Sequence, residues 1–304
     1  MIEVQEATKR FASTTAVDGV SFRAEPGAIF GLLGPNGAGK TTIIRMIMNI
    51  LAPDSGQVLL NGRALREEDK NIIGYLPEER GLYARQTVNE VLLYLAGLKD
   101  SPRDVAQPSI DRWLARLDLT EWRDRKVDEL SKGMAQKVQF IAAVAHDPSV
   151  VCFDEPFSGV DPVSTELLRE AMLEIAAAGK TVLFSTHLMD QAERMCHQIL
   201  LIDQGREVIA GGLDDVKAQY GTNTIQVEFD GDIGDLRRSP LVSSVVQYPR
   251  WVEIEPAEGT GTAEILRVLA GRVSIRRFEV VSPSLHQIFV REVGGTREQE
   301  APHA

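Results

Sequence analysis

The chain has 304 residues, with 33 Lys and Arg against 44 Asp and Glu, a net charge of -11 and a sequence pI near 5.1. That balance argues against a dedicated nucleic-acid binder, whose phosphate contacts need a basic face, and 43% hydrophobic content argues against a disordered chain. The length suits two unequal domains.

Residues 2–30 read as short strands and turns, with "VDGVSFRAEPG" alternating apolar and polar positions before a Pro-Gly turn, which predicts an antiparallel β layer. "AIFGLLG" is a compact apolar strand, and a glycine-rich loop joins it to the helical pattern "KTTIIRMIMNIL". "SGQVLLNGRAL" is a strand with a turn at Asn61-Gly62, and "NIIGYLP" is a short strand ended by Pro77. From about 84 to 146 the pattern turns helical, in "VNEVLLYLAGL", "IDRWLARLDL" and "MAQKVQFIAAVAHD", with "DSPRDVAQPS" as a polar connector. Beyond it, strand and helix alternate through "SVVCFDEP", "TELLREAMLEIAAAG", "KTVLFSTH", "LMDQAERMC" and "QILLIDQGREVIAGG", the signature of a parallel α/β core. The texture changes near Tyr220-Gly221, which predicts a first domain over 1–221 and a small α+β domain over 222–304, its tail frayed from about 294. Cys152 and Cys196 lie outside any paired spacing and read as buried thiols in a reducing compartment. The N-terminus has no signal-peptide layout, and no apolar run approaches roughly 18 residues. The expectation is a soluble, cytoplasmic chain.

"GPNGAGKT", comprising Gly34, Pro35, Asn36, Gly37, Ala38, Gly39, Lys40 and Thr41, matches GxxxxGK[ST] between a predicted strand and a predicted helix. Its glycines let backbone N–H groups wrap phosphates, Lys40 reaches the β and γ oxygens, and Thr41, followed by Thr42, offers a hydroxyl to Mg²⁺. The helix N-terminus adds its positive end. The alternative is a glycine turn without a ligand. A second acidic element is expected at the end of a neighbouring strand, and "VVCFDEP" supplies it: Asp154 can hold the metal through a water, and Glu155 can polarise an attacking water. Alone, that pair reads as a solvated turn; beside the phosphate loop it reads as chemistry.

Between these motifs lies "LSKGMAQK", Leu130 to Lys137, which resembles the signature loop of ATP-binding-cassette (ABC) ATPases, usually LSGGQ. "SGVDP", Ser158 to Pro162, looks like the D-loop, and "STH" looks like the switch histidine, His187. The resemblance covers about residues 2–220; the spellings "LPEERGLY" and "LSKGM" and the appended C-terminal unit look like the ATPases of ABC-2 type exporters. It implies an α/β P-loop NTPase fold with a RecA-like parallel core, an antiparallel β subdomain and a helical signature subdomain, followed by the small α+β domain. It also implies ATP and Mg²⁺ as ligands, and a head-to-tail homodimer or heterodimer. Each ATP would then lie between one phosphate loop and the partner's Ser131 and Gly133, with Asp161 of the D-loop nearby.

In the same reading Phe11 stacks on adenine, with a core or hairpin role as the alternative, and His187 contacts the γ-phosphate and the water. Lys132 and Met134 replace the usual Gly and Gln, while Gly133 keeps the close approach. His146, His197 and His286 read as structural. A separate integral membrane permease would be the partner, with no nucleic acid, placing the chain on the inner face of the membrane. Coupling contacts are expected near "EERGLY" and the helical insertion. The family has glutamine where this chain has Glu78, which makes Glu78 a third candidate metal contact with Thr41 and Asp154, while Glu79 and Arg80 face the permease or pair on the surface. A soluble ABC ATPase acting in translation or DNA repair is the rival reading, and intact Lys40, Asp154, Glu155 and His187 disfavour a non-hydrolysing module. The C-terminal domain reads equally as a dimer or regulatory contact and as a packing module.

Overall fold

The computed structural model describes residues 1–79, 81–220, 224–248, 251–281 and 283–299. Arg80 and the expected boundary at Gly221 lie outside the described residues. The chain divides into two compact units, Met1–Leu213 and Asp214–Ala304, so the division falls ahead of the expected position.

In the first unit, β1 (Ile2–Phe11) and β2 (Thr14–Ala24) pair antiparallel, and β1 also pairs with a later strand, β4 (Ser55–Leu60). Between them come β3 (Ile29–Leu33) and helix α1 (Lys40–Ile47). Asn61 and Gly62, with φ of 51° and 78°, turn the chain from β4 into β5 (Arg63–Ala64), the left-handed pair a two-residue hairpin needs. The sheet order is β2-β1-β4-β5.

The second sheet holds the core. Its strands are β3, β6 (Ile73–Leu76), β7 (Val150–Asp154), β8 (Thr181–Thr186), β9 (Gln198–Asp203) and β10 (Arg206–Gly212), in the order β10-β9-β3-β8-β7-β6. β9, β3, β8, β7 and β6 are parallel, as the strand-helix alternation predicts. β10 departs from that pattern: "QGREV" makes a hairpin at Gln204-Gly205, so the sheet closes on an antiparallel edge. β3, β7 and β8 are buried along their whole length, which fits their apolar centres, with the polar Asp154, Ser185 and Thr186 at the carboxyl ends of β7 and β8.

Three helices form the insertion: α2 (Val88–Gly97), α3 (Arg103–Arg116) and α4 (Lys132–Val144). Thr87 and Glu90 form a reciprocal capping box on α2. α3 begins at Arg103, inside the stretch expected to be a connector, and continues through Pro108. Pro108 is exposed and lies near the helix start, so its missing N–H forfeits one hydrogen bond and its ring points to solvent. Phe140 of α4 stacks on Phe153 of β7 at 4.9 Å between ring centres, which fixes the signature helix against the core sheet. Helix α5 (Pro162–Ala177) follows β7, with proline at its favoured first position, and α6 (Met189–Glu193) follows β8. Cys152 and Cys196 are free and buried; burial pushes the Cys152 thiol up to about 12.

Helix α7 (Leu213–Gln219) precedes the second unit's sheet, β12 (Val242–Gln247), β13 (Trp251–Pro256), β11 (Thr224–Asp230) and β14 (Ser274–Val281) in that spatial order, all antiparallel. Ile225, Val227, Val252 and Ile254 face α8 (Thr262–Ala270) residues Ile265 and Leu269 in one cluster. Helix α9 runs Leu285–Gln299, past position 294 where fraying was expected. Among the described residues no helix is long and apolar enough to cross a membrane.

Candidate nucleotide-binding site

The sequence-predicted chemistry gathers at the carboxyl ends of β3, β8 and β7, the edge of a parallel sheet where α/β folds bind ligands. Register sets the levels: Leu33 lies opposite Thr186, and Asp154 opposite Ser185. β3 therefore delivers Gly34 to the same edge as Asp154, with Ser185 to His187 between them.

Gly34 begins the loop at φ 151°, and a Cβ there would stand 2.1 Å from the Ile202 carbonyl oxygen. Gly39, at φ 111°, is packed as tightly against the Ala16 carbonyl, at 2.4 Å. Backbone approaches backbone at both positions, so only glycine fits. Gly39 is the N-cap of α1 and supplies no capping side chain, which leaves the helix N–H groups suited to an anion. Lys40 is buried and donates to the Gly34 and Pro35 carbonyls at 2.8 and 3.1 Å. Its Nζ also lies 3.4 Å from Glu155 Oε1, so the ammonium sits inside the loop it serves.

Asp154 is fully buried. Ser185 Oγ donates to its Oδ1, while Oδ2 is buried with no hydrogen-bond partner among the described residues. Burial raises its pKa, opposed by the Ser185 and Thr41 hydroxyls. An unpartnered carboxylate oxygen beside a threonine hydroxyl fits a hard divalent cation that takes few protein oxygens and completes its shell from water and phosphate. Glu155 follows in a left-handed backbone conformation, φ 49°, held by hydrogen bonds from its N–H to the Ser185 carbonyl and hydroxyl at 3.2 and 3.1 Å. A glutamate in that region costs on the order of 1 kcal/mol or more, and the turn aims its carboxylate at Lys40 and at His187, whose Nδ1 lies 3.0 and 3.1 Å from the two oxygens.

Ser131 caps α4, its hydroxyl accepting from the Met134 N–H at 3.2 Å. A Cβ on Gly133 would meet Asp161 Oδ2 at 2.8 Å, so a larger residue there would have to displace the D-loop carboxylate. Asp161 in turn caps α5 by accepting from the Ser164 N–H at 2.9 Å, which holds its carboxyl below the usual carboxylate range. Phe11 is 45% exposed at the end of β1, with the Lys9 ammonium 5.8 Å from its ring centre. Glu78 is exposed, and among the described residues no group of three or more His, Cys, Asp or Glu converges as a metal site. His197 has a plain structural use, its Nδ1 accepting from the Ile29 N–H at 3.1 Å. His146 is driven neutral by burial, its pKa pushed down to about 4.

Sequence reasoning missed Ser185, which holds both Asp154 and the Glu155 backbone, and the glutamines of α4. Gln136 donates to the Pro156 carbonyl at 3.1 Å and Gln139 to the Glu79 carbonyl at 3.3 Å. The available signal was three polar residues, Gln136, Lys137 and Gln139, on a helix otherwise apolar enough to be buried.

The ABC transporter family model matches residues 17–158, and a model of the C-terminal domain of DrrA1-3-like ATP-binding proteins matches 211–293. The ABC transporter ATP-binding protein YhaQ of Bacillus subtilis is 39% identical over 298 residues, covering 98% of this chain and 100% of its own length. The chain belongs to the ABC transporter ATP-binding proteins. Another relative in this family, the Nod factor export ATP-binding protein I of Burkholderia pseudomallei, is 36% identical over 74% of this chain and 76% of its own. A solved ATP-binding subunit of an ABC transporter superposes with TM-score 0.67 at 32% identity, over 73% of this chain and 93% of that one. The cbiO1 protein of Clostridium perfringens, part of the cbiONQ ABC transporter complex, shares the fold with TM-score 0.64 at 24% identity. As an ABC ATP-binding subunit the chain binds and hydrolyses ATP, and nothing in these matches supports the alternative in translation or DNA repair.

Proposed function

We propose that this subunit powers an exporter through a separate membrane permease, from the inner face of the membrane. The observation that carries the proposal is the meeting of Lys40, Asp154, Glu155 and His187 at one sheet edge, beside a loop shaped for phosphates. The names of the Nod factor export relatives support the direction of transport.

In this reading Gly34 to Thr42 wrap the phosphates, Lys40 exchanges the Gly34 and Pro35 carbonyls for β and γ oxygens, and Phe11 stacks on adenine. Thr41 and Asp154 hold Mg²⁺, which neutralises phosphate charge when bound. Glu155 orients the attacking water, and His187, already bonded to Glu155, turns to the γ-phosphate. Ser131 and Gly133 close the same nucleotide from the second subunit of a homodimer or heterodimer, with Asp161 alongside. Glu78, exposed after β6, would be the third oxygen contact to that metal beside Thr41 and Asp154.

Affinity purification of the tagged chain from solubilised membranes tests the assignment. Recovery of a polytopic membrane protein in stoichiometric amount supports it; recovery of ribosomes instead would overturn it. Glu78→Gln tests the metal contact, which fails if Mg²⁺ dependence and transport coupling are both unchanged.

A further inference from the structure

Gln139 lies two turns into α4, on the face that meets the core sheet, and is 5% exposed. Its Nε2 donates to the Glu79 carbonyl, in the loop that follows β6. One turn earlier Gln136, 2% exposed, donates to the Pro156 carbonyl, directly after Glu155. The signature helix is thus bonded to the backbone beside Glu78 through one glutamine and beside Glu155 through the other.

Among the described residues only the donor half of the Gln139 amide is used. Its Oε1 is buried and finds no partner among the described residues. A buried, unpaired amide oxygen is a net penalty, while an apolar side chain of the same length would bury without one. Packing alone would favour methionine or leucine at this position. The donor is what the glutamine adds, and its target is main chain, so the tether holds whichever side chain occupies position 79.

We infer that Gln139 is a positioning residue for ATP hydrolysis: it makes the loop bearing Glu78 and the helix capped by Ser131 move as one body. A partner's nucleotide that draws in Ser131 and Gly133 then draws in the loop beside this chain's own site. The role rests on the proposed part of that loop in the ATPase cycle, but the measurement below is separable from it.

Gln139→Met, with Gln139→Leu as a second variant, is compared with the unaltered full chain for thermal unfolding, ATP affinity by a fluorescent ATP analogue, and steady-state ATPase rate. Loss of one such hydrogen bond from the transition state corresponds to about a tenfold lower kcat. The expected pattern is an unchanged or higher Tm, ATP affinity within about twofold, and that loss in kcat. An unchanged kcat, or a kcat loss matched by a fall in Tm and in ATP affinity in both variants, overturns the inference. A double-mutant cycle with Glu78→Ala then separates the two readings. If Gln139 acts through Glu78, adding Gln139→Met to Glu78→Ala costs no further activity. If Glu78→Ala is silent while Gln139→Met still lowers kcat at constant Tm, the metal role of Glu78 fails and the tether stands.

Discussion

Gly34→Ala tests the packing of the phosphate loop against a number the structure supplies. The new Cβ would lie 2.1 Å from the Ile202 carbonyl oxygen, and the backbone at φ 151° is one that alanine avoids. Neither atom belongs to a side chain that can swing away, so the loop or β9 must move. Overpacking costs about 1–3 kcal/mol and the backbone strain a further 1–3 kcal/mol or so, about 4 kcal/mol together. At roughly 2–4 °C per kcal/mol for a unit of this size, Tm should fall by about 8–16 °C. Gly37→Ala is the internal control: φ is 82° but nothing lies within 4 Å of its Cβ, so only strain applies. That variant should lose about 1 kcal/mol, or roughly 2–4 °C. Calorimetry on the nucleotide-free full chain reads both. Equal shifts for the two variants would refute the packing argument, because only Gly34 faces another backbone.

Three further outcomes follow from the site. Burial raises the Asp154 pKa above its unfolded value of 3.8, so its stabilising contribution is complete below that value and lost as pH rises through the folded pKa. Asp154→Asn should therefore unfold at higher temperature than the parent at pH 7 without nucleotide, with no gain at pH 3, and bind Mg²⁺ about 10–100-fold more weakly. Phe11→Ala should leave Tm within about 1 °C, because the ring is half exposed. It should also weaken ATP binding by roughly 1–3 kcal/mol if the ring stacks on adenine; unchanged affinity assigns Phe11 to the hairpin instead. Asp161→Ala removes the cap on α5 and should lower the midpoint of urea unfolding; an unchanged midpoint contradicts the capping role.

The site was legible wherever its chemistry is local in sequence. Gly34 to Thr41 declare themselves by spacing, and the apolar run before Asp154 announces a strand ending in two carboxylates. What sequence could not reveal depends on registers between distant segments. Gly133 packs against the carboxylate of Asp161, which caps the next helix, and nothing within α4 alone states that. Gln136 and Gln139 were visible as polar residues in a buried helix, but their acceptors are backbone carbonyls of two other loops. β10 read as part of a strand-helix alternation, yet the Gln204-Gly205 turn folds it back antiparallel. The start of α3 was missed for a similar reason: Pro108 argues locally against a helix, while burial of Ala106 and Ile110 on one face outweighs the single lost bond.

Turnover by Glu155→Gln tests the central claim most directly. The substitution keeps size and position but removes the charge that orients water beside Lys40 and His187. With Mg²⁺-ATP, the variant is expected to retain nucleotide affinity, lose at least about 100-fold in kcat, and accumulate as an ATP-bound dimer by light scattering. Full ATPase activity in that variant would contradict the assignment of Glu155.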